Sequence, residues 1–349
     1  MRALTYRGPK LIGYDEVPDP VLPGSDGAIV RVTAAGICGS DLHIYGGHGF
    51  VPGTGYGVGH EATGVIAEIG PDAHGFAVGD RVLVPASAGC DRCRNCRRGL
   101  VAGCERRPLP IDACYGLGGA LAGAQAQYLA VPHAPGNLLR LPDSIGDDAA
   151  IALTDNAPTA WYGARRARIV PGDHVVVIGL GPVGLMAVQS AFAMGAARVL
   201  GVDLIAERRA RAAELGAEPV ESDDPKSAIR DLLDGGAEVA IEAVGADATI
   251  ELAMSAVRPR GRVSVIGVSQ NPAFPVNMPL AQVKELEFHI GLCSIQSELP
   301  ALLRLTAAGR LRPETVVTHH MPMSEGEAAY KMFAERADGV AKIVLDPWT

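Results

Sequence analysis

Val175-Val176-Val177-Ile178-Gly179-Leu180-Gly181-Pro182-Val183-Gly184 is an apolar strand running into the pattern G-x-G-x-x-G, and residues 182–194 continue it as an apolar helix. With a strand entering and a helix leaving, the three glycines have separate tasks. Gly179 permits the tight turn, Gly181 lets the backbone approach a pyrophosphate, and Gly184 lets helix and sheet pack closely. The first amides of the helix have no intrahelical partner and carry partial positive charge, so they can receive phosphates. Asp203 ends the next strand, 19 residues after Gly184. A carboxylate there accepts hydrogen bonds from ribose hydroxyls and repels a 2′-phosphate, which favours NAD(H) over NADP(H). Arg208 tempers that preference, because an arginine close by can accommodate the phosphate.

Outward from this stretch, strand and helix alternate. Strands are expected at 198–202, 238–241 and 262–266, with helices at 207–215 and 247–256. Apolar strands alternating with helices predict a parallel sheet covered on both faces. Residues 1–156 have another rhythm. Short strands at 28–33, 62–69, 81–84 and 126–131 are separated by turn signals such as Pro23-Gly24, Val78-Gly79-Asp80 and Leu141-Pro142-Asp143. That rhythm predicts a β-rich domain. The tail holds helices at 298–308 and 324–335 and a last strand at 341–345. The expected class is therefore α/β, a β-rich domain joined to a doubly wound parallel sheet, and 349 residues suit two cores better than one.

Composition narrows the function. A net charge of −8 argues against a general affinity for nucleic acid or anionic membrane. No apolar segment approaches the roughly 20 residues that span a bilayer, and Met1-Arg2-Ala3-Leu4 enters a strand-like stretch with no apolar leader. Seven cysteines, four of them clustered, fit a reducing compartment, the cytoplasm, better than a disulfide framework.

The cluster is Cys90, Cys93, Cys96 and Cys104, spaced C-x2-C-x2-C-x7-C among turn formers and six arginines between Arg92 and Arg107. Four thiolates so spaced can close a tetrahedron around one Zn²⁺, with sulfur at about 2.3 Å. Such a site is saturated and holds together a small irregular lobe, about residues 88–106. Chemistry needs an open position elsewhere. Cys38 in Gly36-Ile37-Cys38-Gly39-Ser40-Asp41, His60 in Gly59-His60-Glu61-Ala62 and Asp155 in Thr154-Asp155-Asn156-Ala157 are the candidates. Singly, each has a plain structural explanation: a buried thiol, a core histidine, a helix cap. Together, beside a zinc lobe and a dinucleotide turn, they suggest the three protein ligands of a catalytic zinc.

Gly59-His60-Glu61, the Cys38-Gly39-Ser40-Asp41 loop, the four-cysteine lobe and the Gly179–Gly184 turn resemble the zinc-containing medium-chain alcohol dehydrogenase family, from about residue 1 to the C-terminus. The resemblance implies a GroES-like catalytic domain over 1–156, a Rossmann NAD-binding domain over 157–293, and a return of 294–349 to the first domain. It implies two Zn²⁺ per chain, with Cys38, His60 and Asp155 as catalytic ligands. Asp155 stands where many members have cysteine. Glu61 is then a transient fourth ligand or a supporting group, and Asp41 steadies the His60 ring through its other nitrogen. The activity implied is reversible oxidation of an alcohol to an aldehyde or ketone. Ser40 takes the hydroxyl proton and His43 passes it through the cofactor ribose to water. Pro182 opens the cofactor helix, Val183 and Thr159 resemble positions that pack on the nicotinamide, Gly267 lines the cofactor edge, and Lys342 resembles a residue that meets the pyrophosphate. A homotetramer or homodimer joined near residues 260–290 follows by the same resemblance.

The substrate is the quiet part. Residues 45–56, 85–87 and 112–124 are expected to form the pocket, and their many glycines suit a bulky or secondary alcohol, with polyol or formaldehyde-type oxidation as alternatives. Two rivals from other classes are a zinc-ribbon nucleic-acid binder and a non-catalytic zinc and NAD sensor, and a further rival is a zinc-free reductase of the same superfamily. The first gives no role to the glycine turn; the last lacks the cysteines and the Cys38, His60 and Asp155 set.

Overall fold

The computed structural model describes residues 1–349 apart from 108, 270 and 275. The chain forms two compact units, Met1–Pro158 with Ser294–Thr349, and Thr159–Cys293.

In the first unit the central strand is Ala28–Ile37. Its apolar side chains are buried along nearly its whole length, so it pairs on both edges. Glu61–Ile69 lies antiparallel along one edge, followed by Arg81–Val84 and Leu139–Arg140. Tyr128–Val131 takes the other edge at the beginning of the strand, and Ile343–Asp346 takes it at the end, with His319–Pro322 parallel beyond. Arg2–Gly8 and Leu11–Glu16 form a separate hairpin.

The register decides where the chemistry sits. Gly36 pairs with Glu61 and Ile37 pairs with Ile343. Cys38, Glu61 with His60, and Lys342 are thus delivered to one corner of the sheet by three adjacent strands. Helix Asp147–Thr154 packs Ile151 between Ala34 and Val344 and brings Asp155 to the same corner as its C-cap.

In the second unit six parallel strands lie in the order Glu218–Pro219, Arg198–Val202, His174–Ile178, Ala237–Glu242, Val257–Val265, Glu287–Ile290. The chain leaves His174–Ile178 toward one edge and returns to Ala237–Glu242 on its other side, the switch point at which open α/β sheets bind ligands. Apolar residues from Val176, Ile178, Ala240 and Val263 form the core on one face with Ile229, Ile250 and Met254 from the helices.

The two expected sheet types are present. The central strand of the first unit runs four residues beyond the predicted 28–33, because pairing on both edges overrides the weak strand preference of Ala34, Ala35 and Gly36. Val257–Val265 begins earlier than expected, since a register shift beside Ala237 absorbs Pro259 and the positive φ of Arg260. Among the described residues no helix is long and apolar enough to cross a membrane.

Leu129, fully buried on the strand beside Ala28–Ile37, packs in the core of the first unit. Leu129→Ala is expected to lower the unfolding free energy of that unit by about 2–5 kcal/mol, measured by urea denaturation; a loss below about 1 kcal/mol would contradict this core.

Candidate metal centre and dinucleotide site

Cys38, His60, Glu61 and Asp155 each present one ligand atom, and all four atoms lie within 4.8 Å of one another. Cys38 Sγ donates to Asp155 Oδ2 at 3.3 Å, and the same carboxylate oxygen is 3.7 Å from His60 Nε2. His60 Nδ1 faces Asp41 Oδ1 at 3.2 Å, which leaves Nε2 turned toward the thiol and carboxylate. Ser40 Oγ is 3.3 Å from Nε2. Asp41 is itself fixed: buried, it accepts the Cys38 amide at 2.9 Å and lies 3.5 Å from Gln125 Nε2. Gln125 is held in turn by the Gly36 carbonyl and the Tyr330 hydroxyl, both at 2.8 Å.

The electrostatics ask for a cation. Burial pushes the Cys38 thiol up, and the charges of Asp155 and Glu61 push it further. Burial works against a charged His60, but Asp41 and the hydrogen bonds to Asp155, Asp41 and Cys38 raise it well above the ordinary imidazole range. The donor set is one sulfur, one imidazole nitrogen and carboxylate oxygens, and its thiol and imidazole are both biased toward keeping their protons. That set suits Zn²⁺, which displaces such protons on binding.

Glu61 is already engaged. Its Oε1 accepts from Asn156 Nδ2 at 2.9 Å and its Oε2 pairs with Lys342 Nζ, all three residues being buried. A Cβ on Gly36 would lie 2.2 Å from Oε2, so only glycine leaves the carboxylate its seat. Lys342 is therefore a correction to the sequence expectation. It is fully buried in the first unit, where its ammonium also donates to the Ile37 carbonyl at 3.0 Å, so it presents no exposed surface to a pyrophosphate. Burial opposes its charge, but Glu61 and Cys38 outweigh burial and raise its pKa.

Cys90, Cys93, Cys96 and Cys104 form a second group, all buried, with ligand atoms within 4.8 Å of one another. A tetrahedron of about 2.3 Å bonds has edges of about 3.8 Å, so the sulfurs fit one Zn²⁺. Amides already point at sulfur: Cys93 N–H to Cys90 Sγ at 3.3 Å and Cys96 N–H to Cys93 Sγ at 3.4 Å. The Cys96 amide and its neighbours pull the Cys93 thiol down to about 6, while burial pushes Cys96 up to about 12. Asn137 ties the lobe to the sheet through both polar groups of Gly89, at 2.9 Å each.

In the second unit Gly179 has φ +87, and a Cβ on Gly184 would fall 1.8 Å from the Gly179 carbonyl. At Gly181 a Cβ would meet nothing nearer than Arg208 at 3.8 Å, which leaves room for a ligand against the backbone. Gly181 caps helix Pro182–Ala193; Pro182 is buried and Val183 half-buried in its first turn. Asp203 accepts the amides of Leu180 and Ile205 at 2.8 and 2.9 Å, with Arg208 3.8 Å away. Gly267 packs where any Cβ would be 2.1 Å from the Gly245 amide. Thr159 is half-buried in helix Asn156–Arg166. His43 lies in the short helix Asp41–Tyr45, its pKa lowered by burial and by His48.

Both units match known families. The alcohol dehydrogenase GroES-like domain profile matches residues 24–143, and that of zinc-binding dehydrogenases matches residues 182–308. A probable zinc-binding alcohol dehydrogenase of Mycobacterium tuberculosis is 40% identical over 348 residues, covering 99% of this chain and 89% of that protein. Among solved structures, an alcohol dehydrogenase from a Thermus species is 39% identical with a TM-score of 0.92, covering 99% of both chains. Zinc dependent alcohol dehydrogenase 2 from Streptococcus pneumonia is 35% identical with a TM-score of 0.91, covering 100% of this chain and 99% of that one. The chain belongs to the zinc-containing medium-chain alcohol dehydrogenase family. At the level of that family it is an oxidoreductase acting on small-molecule alcohols and their carbonyl partners.

The two glycines separate fold from binding. Gly184→Ala is expected to destabilise the second unit by about 1–3 kcal/mol through its clash with the Gly179 carbonyl. Gly181→Val is expected to leave the melting temperature near that of the native protein yet weaken NADH binding, read by fluorescence titration. Unchanged NADH affinity in Gly181→Val would contradict the assignment.

Proposed function

We propose that the chain holds two zinc ions, one saturated by Cys90, Cys93, Cys96 and Cys104 and one unsaturated on Cys38, His60 and Asp155. With NAD(H) it interconverts an alcohol and its aldehyde or ketone. The observation that carries this reading is the mutual approach of Cys38 Sγ, His60 Nε2 and Asp155 Oδ2 within 4.8 Å in a buried, anion-rich corner. Zinc bound there supplies Lewis acidity, which lowers the pKa of an alcohol hydroxyl, and the nicotinamide supplies the hydride acceptor.

The protein's own residues do the rest. Asp41 orients His60 through Nδ1 and so keeps Nε2 aimed at the metal position. Ser40 Oγ, 3.3 Å from Nε2, is within reach of a hydroxyl proton released there. His43, three residues on and with its pKa lowered by burial, can accept that proton next. Gly181 and the first turn of Pro182–Ala193 receive the pyrophosphate.

Preference for NAD(H) is supported by Asp203. Its carboxylate is anchored by two amides, so a 2′-phosphate would meet a fixed negative charge. Arg208 beside it softens the discrimination without reversing it. A bulky or secondary alcohol is the proposed substrate class. Support comes from the loop over residues 46–55, where Gly47, Gly53 and Gly55 take positive φ and add no side-chain volume. Assembly as a homotetramer or homodimer is supported by the edge strand Glu287–Ile290, which exposes Phe288 and Ile290. The gathering of Cys90, Cys93, Cys96 and Cys104 as a candidate metal site rather than as disulfides supports a reducing compartment, the cytoplasm.

Metal analysis is expected to return two zinc per chain, and Cys38→Ser is expected to lose one of them together with turnover. A native protein with a single zinc would contradict the reading. Ser40→Ala is expected to reduce kcat by about 100-fold or more while NADH binding stays the same; native turnover in that variant would remove the relay.

A further inference from the structure

Four donors converge on the Cys38 corner, and four donors are what a saturated zinc site uses. A catalytic site needs one position left over. The fourth donor, Glu61, differs from the other three in its surroundings. Both its oxygens are taken, Oε1 by Asn156 and Oε2 by Lys342, and Gly36 packs directly against the carboxylate. Lys342 is equally fixed, since its ammonium is buried and donates to the Ile37 carbonyl. Strand register enforces the pairing, because Ile343 lies opposite Ile37 and Glu61 opposite Gly36.

Charge supports a role other than stability. The Cys38 thiolate, Asp155 and Glu61 place three negative charges around an ion that brings two positive ones. The Lys342 ammonium supplies the missing charge. A fully buried ion pair adds little net stability, since desolvation offsets most of the attraction. Left without its lysine, however, a buried carboxylate seeks the nearest cation, and here that is the metal.

We infer that Lys342 keeps the catalytic zinc unsaturated by holding Glu61 as its own partner. Lys342 is thus a positioning residue, acting through Glu61 with Asn156 as second anchor. The inference rests on the proposed zinc site at Cys38, His60 and Asp155, and its test separates the two.

Cobalt is exchanged for zinc and the visible absorption is followed while imidazole is added. The saturated four-cysteine site does not respond, so any change reports an open position. The native protein is expected to respond saturably. Lys342→Met is expected to keep both metals and lose the response, with activity down by about 10- to 100-fold. The double variant Lys342→Met with Glu61→Gln is expected to regain the response. A native-like response in Lys342→Met would overturn the inference, as would no recovery in the double variant. If Lys342→Met does not fold, the native protein decides: two cobalt ions per chain with no imidazole response means that Glu61 already closes the site. Fewer than two metals in the native protein would instead defeat the underlying zinc assignment.

Discussion

Too many acids meet at one corner of the first unit for protons alone to be a comfortable solution. Three neighbouring strands end there in fixed register, so Cys38, His60 with Glu61, and Lys342 cannot avoid one another, and a helix end adds Asp155. Burial removes the water that would otherwise screen these charges. The result is a corner whose donors and charges suit a cation. Asp41, Gln125 and Tyr330 then form a buried chain of hydrogen bonds, and Asp41 Oδ1 faces His60 Nδ1 across 3.2 Å at its end. Metal-ligating histidines need such support to hold one nitrogen toward the ion.

The second unit solves a different problem with backbone rather than side chains. Its parallel sheet ends in the Gly179 turn, where close packing at Gly184 and open space at Gly181 coexist within a few residues. Asp203 is held by the amide of Leu180, so the acidic group proposed to meet ribose is tied to the turn proposed to meet phosphate. The lobe of four cysteines is again different. Its irregular backbone has little hydrophobic packing of its own, and sulfur clustering with the Asn137 clamp gives it definition.

Much of this was legible in the sequence, for a physical reason. The glycine turn, the four-cysteine spacing and the Cys38, His60 and Asp155 loops are local patterns, each readable within a few residues. Strand period and helix alternation exposed the two sheets in the same way. What escaped depends on pairing between distant segments. Gln125 and Tyr330 are 205 residues apart and meet only through the fold. Asn156 stood beside a candidate ligand without a visible task, although it reaches Glu61. Family resemblance makes Lys342 a cofactor contact, whereas its setting, a lysine in the apolar run Val340-Ala341-Lys342-Ile343-Val344, is that of a buried ion pair. Short edge strands such as His319–Pro322 and Glu287–Ile290 were missed because partners, not composition, make them strands.

Anomalous diffraction at the zinc edge from crystals of the zinc-loaded protein tests the central claim most directly. The account predicts a peak about 2.3 Å from Cys38 Sγ and about 2.0–2.2 Å from His60 Nε2 and an Asp155 oxygen, with Glu61 still on Lys342. A corner without a metal peak, or a peak bonded to Glu61 in place of an open position, would contradict it.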